Sequence, residues 1–465
     1  MRVKTVHANG NDMGRVANNT RIIRGFIKSY SQDHVPIEVN FRELVDWIPY
    51  SSERATHLIH PYPAKLLLHI PHLFLTNDLL SAKDDLVFDP FSGSGTVLLE
   101  SLLTGRNAYG IDANPLARLI SKVKTTPLSR EQLRAATRSL LKTIVGTASA
   151  KPPDVINLDH WFYPHIIRQL AIIWSAIQRT NQNDIRDFFA VTFSSCVRHA
   201  SLADPRISVP VRQNPLCYPR NHWLRQAAHA RLNRLRRFNV FAQFQAMLET
   251  NIQRMADLVE LTGHNRATVA AADARDLLRS LPDSDSSPIT KKRVQVIITS
   301  PPYAGAQKYV RASSLSLGWL ELCHSDQLRA FEGLMIGREH YHKSEYATLR
   351  KTGIAKADEL LEKIYAKNPL RAYIAANYLV EMDQTFTGCL SVLKPGGYFV
   401  LVAANNRVCG YDFETKNYLA EVLHEGGLKL RFEIVDAIKS RGLMTKRNKT
   451  ASVISRESVF LFQKI

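Results

Sequence analysis

The pattern of hydrophobic and polar positions divides this 465-residue chain into short apolar runs and longer stretches of helical periodicity. Short apolar runs predict buried strands, and the periodic stretches between them predict helices. The predicted strands are residues 85–89, 108–112, 267–273, 294–298, 398–403, 432–438 and 459–463. Seven strands that alternate with helices are typical of a doubly wound α/β sheet, which is the fold class we predict.

Two long stretches interrupt this alternation. Residues 126–261 are largely helical in pattern and far longer than an ordinary crossover, so we predict a large helical insertion there. Residues 304–371 form a second excursion. The predicted division is an N-terminal segment (1–56), three parts of one sheet domain (57–125, 262–303 and 372–465) and these two excursions. We expect the polar residues 9–19 to be mobile.

A glycine-containing corner follows the first strand. Residues 89–96, Asp-Pro-Phe-Ser-Gly-Ser-Gly-Thr, lie between that strand and a predicted helix. Glycines allow a sharp turn and let a ligand lie against the backbone. The corner matches neither the GxGxxG fingerprint nor a P-loop. A carboxylate at Asp89 would repel a pyrophosphate, whereas it suits a cationic or amine-bearing ligand such as S-adenosylmethionine.

Two further acids end the next two predicted strands. Asp112 can accept hydrogen bonds from both hydroxyls of a ribose, and Asp273 can accept one from an adenine amino group. Either aspartate alone is more simply explained as a helix cap or turn residue. Three carboxylates at the ends of successive strands, beside a glycine corner, favour a nucleotide-type site.

The fourth predicted strand ends in Thr299-Ser300-Pro301-Pro302-Tyr303. Two prolines fix φ and remove two backbone donors, which leaves carbonyl oxygens free to accept hydrogen bonds. Ser300 adds a hydroxyl and Tyr303 an aromatic face. Such a rigid corner suits an exocyclic amino group on a flat ring, which the acceptors would hold while the aromatic ring stacks.

Composition limits the classes of protein to which this chain can belong. No run of 18 apolar residues occurs and the first residues lack an apolar signal core, so we predict no membrane span and a cytoplasmic location. Five dispersed cysteines form no CxxC pair, which argues against a zinc site or a disulfide framework. We therefore predict that no metal is required.

Charge indicates a polyanionic partner. The 61 lysines and arginines exceed the 42 acids, which gives a net charge of +19. Nine arginines between residues 198 and 237 stand against the single acid Asp204; they are Arg198, Arg206, Arg212, Arg220, Arg225, Arg231, Arg234, Arg236 and Arg237. Two other basic segments compete with them: Lys308, Arg311, Arg338, His340, His342, Lys343, Arg350 and Lys351, and then Lys439, Arg441, Lys446, Arg447 and Lys449. We expect the insertion to help bind nucleic acid, although a solvated helix face would look similar.

Taken together, these motifs resemble those of the amino-methylating DNA methyltransferases. The resemblance extends to residues 60–65, His-Pro-Tyr-Pro-Ala-Lys, and to Lys394-Pro-Gly-Gly-Tyr398. It implies a seven-stranded Rossmann-like sheet that binds S-adenosyl-L-methionine. It implies catalytic roles for Ser300, Pro301, Pro302 and Tyr303. The implied cofactor-binding residues are Pro63, Lys65, Asp89, Pro90, Phe91, Gly93, Gly95, Thr96, Asp112 and Asp273.

Ser300 to Tyr303 form the Ser-Pro-Pro-Tyr tetrad. In that family a serine at the first position of the tetrad goes with cytosine N4 methylation, whereas aspartate or asparagine usually goes with adenine N6 methylation. The expected partner is double-stranded DNA with the target base flipped out, and such an enzyme can also have a cognate restriction endonuclease. No cysteine lies near the tetrad, which argues against C5 methylation. Two alternatives remain: an adenine N6 or RNA amino-methyltransferase, and a catalytically silent DNA-binding subunit.

Overall fold

A computed structural model describes residues 12–48, 53–63, 65–280, 289, 292–305, 309–437 and 456–465. The strands within these ranges are β1 Ile37–Val39, β2 Leu86–Asp89, β3 Asn107–Ile111, β4 Ala267–Ala270, β5 Val294–Thr299, β6 Leu393–Ala403, β7 Asn406–Val408, β8 Tyr411–Phe413, β9 Leu428–Ala437 and β10 Arg456–Lys464. Each of the seven predicted strands corresponds to one of these, with bounds that differ by up to five residues.

Eight of the strands form one sheet in the order β1-β9-β10-β6-β5-β2-β3-β4. All neighbours pair in parallel except β10, which runs antiparallel to both β6 and β9. The predicted doubly wound, Rossmann-like sheet is confirmed. The short edge strand β1 extends it to eight strands, and β7 and β8 form a separate antiparallel pair.

The helices, numbered the same way, are α1 Asp12–Asp33, α2 Phe41–Leu44, α3 His69–Leu75, α4 Thr96–Leu103, α5 Pro115–Thr125, α6 Arg130–Val145, α7 Leu158–Trp161, α8 Pro164–Gln178, α9 Asn183–Ala200, α10 Trp223–Leu235, α11 Val240–Leu261, α12 Leu277–Ser280, α13 Tyr309–Trp319, α14 Leu328–Gly333, α15 Ala355–Lys367, α16 Pro369–Val392 and α17 Thr415–Glu425. Residues 126–261 hold α6 to α11 and contribute no strand to the sheet.

The sheet is buried on both faces. Val87 and Phe88 are neighbours on β2 whose side chains enter different apolar clusters, as the alternation along a strand requires. A third cluster joins the insertion to the rest of the molecule, because Phe193 of α9 shares it with Ile120 of α5 and Trp319 of α13. The insertion therefore packs directly onto helices that flank the sheet.

Helix α1 corrects one prediction. Residues 12–19 belong to a 22-residue helix, so the expectation of a mobile stretch is wrong for these residues. Ile23 is fully buried, and the ring of Phe26 lies edge-on to that of Phe432 in β9, with centroids 5.7 Å apart. The helix is held by tertiary packing of an apolar stripe, which its polar first half does not reveal.

Residues 394–397, directly before the predicted strand 398–403, lie inside β6 as an irregularity. Val294 of β5 pairs with Leu393, but Val296 pairs with Tyr398, so four residues of β6 loop out of the ladder. Gly396 has φ +76°, which a glycine adopts without strain. The predicted strand is therefore correct, and the structure extends its start to Leu393.

Candidate active site

The two central strands place the candidate site at the point where strand order reverses. The chain runs from β2 outward to β3 and β4, then returns to β5 on the other side of β2. Open α/β sheets bind ligands at the carboxyl ends of strands at such a point. Asp89 ends β2 and Thr299 ends β5, and Thr299 Oγ1 donates a hydrogen bond to Asp89 Oδ1 at 2.9 Å. The first residue of the glycine corner therefore contacts the residue directly before the Ser-Pro-Pro-Tyr tetrad.

Asp89 is a buried carboxyl with one oxygen already engaged. The backbone N–H of Phe91 also donates to Oδ1, at 3.0 Å, which leaves Oδ2 for a ligand. Burial raises the pKa of Asp89 to about 7, because the charged form loses hydration; the two hydrogen bonds oppose this rise and the nearby Asp112 adds to it. Asp89 is therefore a group whose charge changes near neutral pH.

Asp112 connects the loops that follow β2 and β3. Its Oδ2 accepts from the backbone N–H of Gly93 at 2.9 Å, and its Oδ1 accepts from that of Asn114 at 2.7 Å. Burial raises the pKa of Asp112, and the two backbone donors partly offset this. Each carboxylate oxygen still has a lone pair for a further donor, so Asp112 can hold a ligand hydroxyl while it orders the corner.

Gly95 has a structural reason to be glycine. It caps α4 in the left-handed region with φ +74°, and a Cβ there would lie 2.3 Å from Ser121 Oγ on α5. Its role in the described structure is close approach of two helices, and it does not line the pocket. Pro63 also lies outside the pocket lining.

One pocket brings most of the predicted site residues together. Those that line it are Lys65, Asp89, Pro90, Phe91, Gly93, Thr96, Asp112, Asp273, Ser300 and Pro302. Ser94 also lines it, and its hydroxyl is buried without a hydrogen-bond partner anywhere in the described ranges. A pocket with acids at the strand ends, an orphaned hydroxyl and a glycine wall fits S-adenosylmethionine, which carries hydroxyl, amine and sulfonium groups.

Several lining residues were not predicted. Tyr62 and Asn114 hydrogen-bond to each other, with Asn114 Nδ2 3.3 Å from Tyr62 Oη. Tyr62 lies inside the 60–65 motif and Asn114 directly follows Asp112, so their neighbours gave a signal. Leu334, Met335 and Ile336 come from the second excursion and complete an apolar wall. No local sequence feature distinguishes these three residues.

Arg275 connects that wall to Asp273. Its guanidinium donates to both oxygens of Asp273, to Glu381 and to the carbonyl of Leu334. Burial acts to raise the pKa of Asp273, but the hydrogen bonds from Arg275 outweigh it, so the net direction is downward. Asp273 is therefore held as a carboxylate in a fixed orientation.

The tetrad presents free acceptors. Ser300 lines the pocket, and neither its hydroxyl nor the Pro301 carbonyl has a hydrogen-bond donor in the part of the chain that is described. Tyr303 does not line the pocket, and its hydroxyl donates to Glu457 of β10 at 2.7 Å. The excursion packs on this corner, because the N–H of Gly305 donates to the Gly337 carbonyl at 3.0 Å.

Lys65 is held by the loop that precedes it. Its ammonium donates to the backbone carbonyls of His57 and His60, and burial lowers its pKa to about 8. The same loop is fixed to α4 by Glu100, a buried carboxylate that Arg54 and His57 contact at 2.6 and 2.7 Å. These contacts keep the 57–65 segment against the pocket.

The described residues show neither a cluster of metal ligands nor a membrane-spanning helix. They contain no group of three or more His, Cys, Asp or Glu side chains placed to hold a metal ion. None of their helices is long and apolar enough to cross a membrane.

The N6_N4_Mtase family model, described as DNA methylase, matches residues 28–122. Type II methyltransferase M.MvaI of Kocuria varians is 24% identical over 419 residues, which cover 87% of this chain and 88% of that protein. Type II methyltransferase M.MjaII of Methanocaldococcus jannaschii is 36% identical over 84 residues, 18% of this chain and 16% of that protein. The family match includes the glycine corner and Lys65 and ends well before the tetrad.

Among solved structures, TrmN from Thermus thermophilus aligns at 13% identity over 91% of this chain and 53% of that chain, with a TM-score of 0.29. A TM-score this low carries no argument, so the fold assignment rests on the sheet topology. The family match and the M.MvaI alignment confirm the resemblance to amino-methylating DNA methyltransferases. They do not separate cytosine N4 from adenine N6 enzymes.

Proposed function

We propose that this protein transfers a methyl group from S-adenosyl-L-methionine to the exocyclic N4 amino group of cytosine in a specific site of double-stranded DNA. The observation that carries the proposal is the contact between Thr299 and Asp89 at 2.9 Å. It places a cofactor-type corner directly beside a tetrad whose Ser300 hydroxyl and Pro301 carbonyl are free to accept hydrogen bonds. Serine in the first tetrad position supports cytosine over adenine.

The cofactor would be held by side chains and backbone already described. Asp112 would accept hydrogen bonds from the ribose, Asp273 would accept one from the adenine amino group, and Asp89 and Lys65 would hold the methionine end. When bound, the cofactor supplies a methyl group on a sulfonium sulfur, so an N–C bond forms as the S–C bond breaks and the nitrogen loses a proton.

The tetrad would position the target amine. Ser300 and the Pro301 carbonyl would accept its two N–H bonds, which directs the nitrogen lone pair out of conjugation with the ring. Tyr303 would stack on the base, and its bond to Glu457 would fix the orientation of the aromatic ring. Because a base inside a duplex cannot enter this corner, we propose base flipping, which costs a few kcal/mol. Orientation then supplies much of the acceleration.

The curated relatives support a biological setting. Both are named Type II methyltransferases. We therefore include in the proposal a modification role beside a cognate restriction endonuclease. No catalytic metal is part of the proposal, since the chemistry needs only acceptors and orientation.

The direct test identifies the modified base. DNA from cells that express the chain, and that lack other DNA methylation, is digested to nucleosides and analysed by mass spectrometry. We expect N4-methylcytosine; N6-methyladenine would overturn the assignment of the base. Ser300→Ala should lower the methylation rate about 100-fold, since one acceptor is lost from the reacting centre. Ser208→Ala, which changes an exposed serine without a hydrogen-bond partner in the described chain, is the matched control.

A further inference from the structure

The nine arginines of residues 198–237 divide into two groups by what their side chains contact. Five contact other protein groups: Arg198 the carbonyl of Ile207, Arg206 the carboxylate of Asp204, Arg212 the ring of His160, Arg225 the carbonyl of Tyr218, and Arg231 the carbonyl of Ser201. The other four are exposed and have no hydrogen-bond or ion-pair partner in the described ranges; they are Arg220, Arg234, Arg236 and Arg237. More than half of this charge therefore serves the fold.

Three of the partner-free arginines lie together. Arg234, Arg236 and Arg237 line a groove between the end of α10 and the start of α11. Asn233, Asn239 and Gln243 add amide groups to the same lining, and no carboxylate is part of it. Guanidinium and amide N–H donors without a competing acid suit phosphate oxygens, because charge-assisted hydrogen bonds to phosphate are among the strongest that arginine makes.

The groove is connected to the candidate active site through shared residues. Gln243 and Ala246 of α11 also line a second depression, which lies between α11 and the 58–65 loop. Lys65 lines both that depression and the cofactor pocket. The groove, the second depression and the pocket that Ser300 lines are thus linked in sequence through shared lining residues.

The competing basic segment of residues 304–371 is mostly engaged. Arg338 pairs with Glu345 at 3.0 Å, Arg350 donates to Asn377 at 2.7 Å, and Lys351 pairs with Glu362 at 2.5 Å. Lys308 and the third basic segment, which comprises Lys439, Arg441, Lys446, Arg447 and Lys449, lie outside the described residues. Among the described clusters, the groove holds the most arginines without a partner.

We propose that the groove formed by Arg234, Arg236 and Arg237 binds the phosphate backbone of duplex DNA next to the flipped base. This inference rests on the proposed function and names the surface that holds its substrate. Phosphate contacts carry no sequence information, so the groove sets the register and orientation of the duplex, and other residues read the bases. The groove therefore contributes equally to the affinity for target and non-target DNA sequences, and this contribution depends on salt concentration.

The test compares two triple variants with the same change in charge. Arg234→Ala/Arg236→Ala/Arg237→Ala removes the groove. Arg138→Ala/Lys142→Ala/Arg168→Ala removes three exposed basic side chains from α6 and α8, none of which lines the groove. The affinity of the full chain for a fluorescent duplex of mixed sequence is measured by anisotropy between about 50 and 200 mM salt.

Loss of three phosphate contacts should reduce the slope of log affinity against log salt by about 2.7 and weaken binding at least about tenfold, whereas the control should stay near wild type. Binding of S-adenosylmethionine, measured by calorimetry, should be unchanged in both. A triple Arg→Gln variant, which keeps side-chain volume, should behave as the Ala variant if the latter folds poorly.

If the groove variant and the control had the same slope of log affinity against log salt while the wild-type protein methylated DNA, only the DNA-binding role of the groove would be overturned. Wild-type protein that neither binds nor methylates duplex DNA would overturn the proposed function as well. A groove variant that loses affinity for single-stranded RNA but not for duplex DNA would contradict the inference in favour of another polyanion.

Discussion

The acids at the sheet edge and the arginines of the insertion are two sets of charged side chains that the molecule uses in opposite ways. Asp89 is buried at the end of β2 and Asp112 is half-buried directly after β3, where backbone N–H groups fix them and still leave lone pairs for a ligand. The arginines around α10 are mostly exposed, and five of nine contact other protein groups. A buried acid at a strand end thus has its position set by the fold, whereas the role of a surface arginine depends on which neighbours it meets.

The largest effect is expected at the tetrad, where the carboxyl edge of the sheet would meet the target base. Tyr303→Ala should reduce kcat about 100-fold, because base stacking and orientation are lost together. Tyr303→Phe should keep more of the activity than Tyr303→Ala, since the ring remains and only its hydrogen bond to Glu457 is lost. Single-turnover rates at saturating DNA measure both, and an equally inactive Phe variant would show that the hydroxyl, and not the ring, is what the reaction requires.

Much of the fold, and the site residues at the carboxyl ends of the strands, could be predicted from sequence because strand-end motifs are local. The run that ends in Asp89 and the run that ends in Thr299 each predict a strand, and parallel strands bring their carboxyl ends to one edge. Helix α1 was missed because its stability comes from contacts such as Phe26 with Phe432, more than 400 residues away in sequence.

The same limit applies to the site. Leu334, Met335 and Ile336 reach the pocket only because Arg275 and the tetrad corner hold the second excursion there. The sequence showed nine arginines near α10 but not their partners, since a carbonyl such as that of Ile207 becomes an acceptor only in the folded chain. Pairing across long loops is a tertiary property, and it decides which charges are free.

A second prediction concerns the charge of Asp89. Its pKa of about 7 means that a neutral carboxyl dominates below pH 7 in the free protein. A cationic ligand favours the carboxylate, so affinity for S-adenosylmethionine should rise as pH increases through about 7 and level off above it. Below that point affinity should fall by up to about tenfold per pH unit.

Calorimetric titrations between pH 5.5 and 7.5, a range chosen around that pKa of about 7, provide the measurement. Asp89→Asn should bind more weakly and lose this pH dependence. Asp112→Asn, which removes the neighbouring negative charge, should retain the dependence with a midpoint at lower pH, because Asp112 adds to the rise in the pKa of Asp89. If the wild-type affinity does not change over this range, Asp89 does not contact the charged end of the cofactor.

The smallest effect tests whether the two groups of arginines are truly different. Arg206 pairs with Asp204 and lies over the ring of Tyr218, 5.4 Å from its centroid. Because Arg206 is partly exposed, Arg206→Ala should lower the free energy of unfolding by only about 1 kcal/mol and leave the salt dependence of DNA binding unchanged. Arg236→Ala should do the reverse, with unchanged stability and a slope reduced by about 0.9. Urea unfolding and anisotropy on the same two proteins measure both quantities. If Arg206→Ala reduced the slope as much as Arg236→Ala, an arginine paired within the protein would also be contacting DNA, and internal pairing would no longer identify the arginines that serve only the fold.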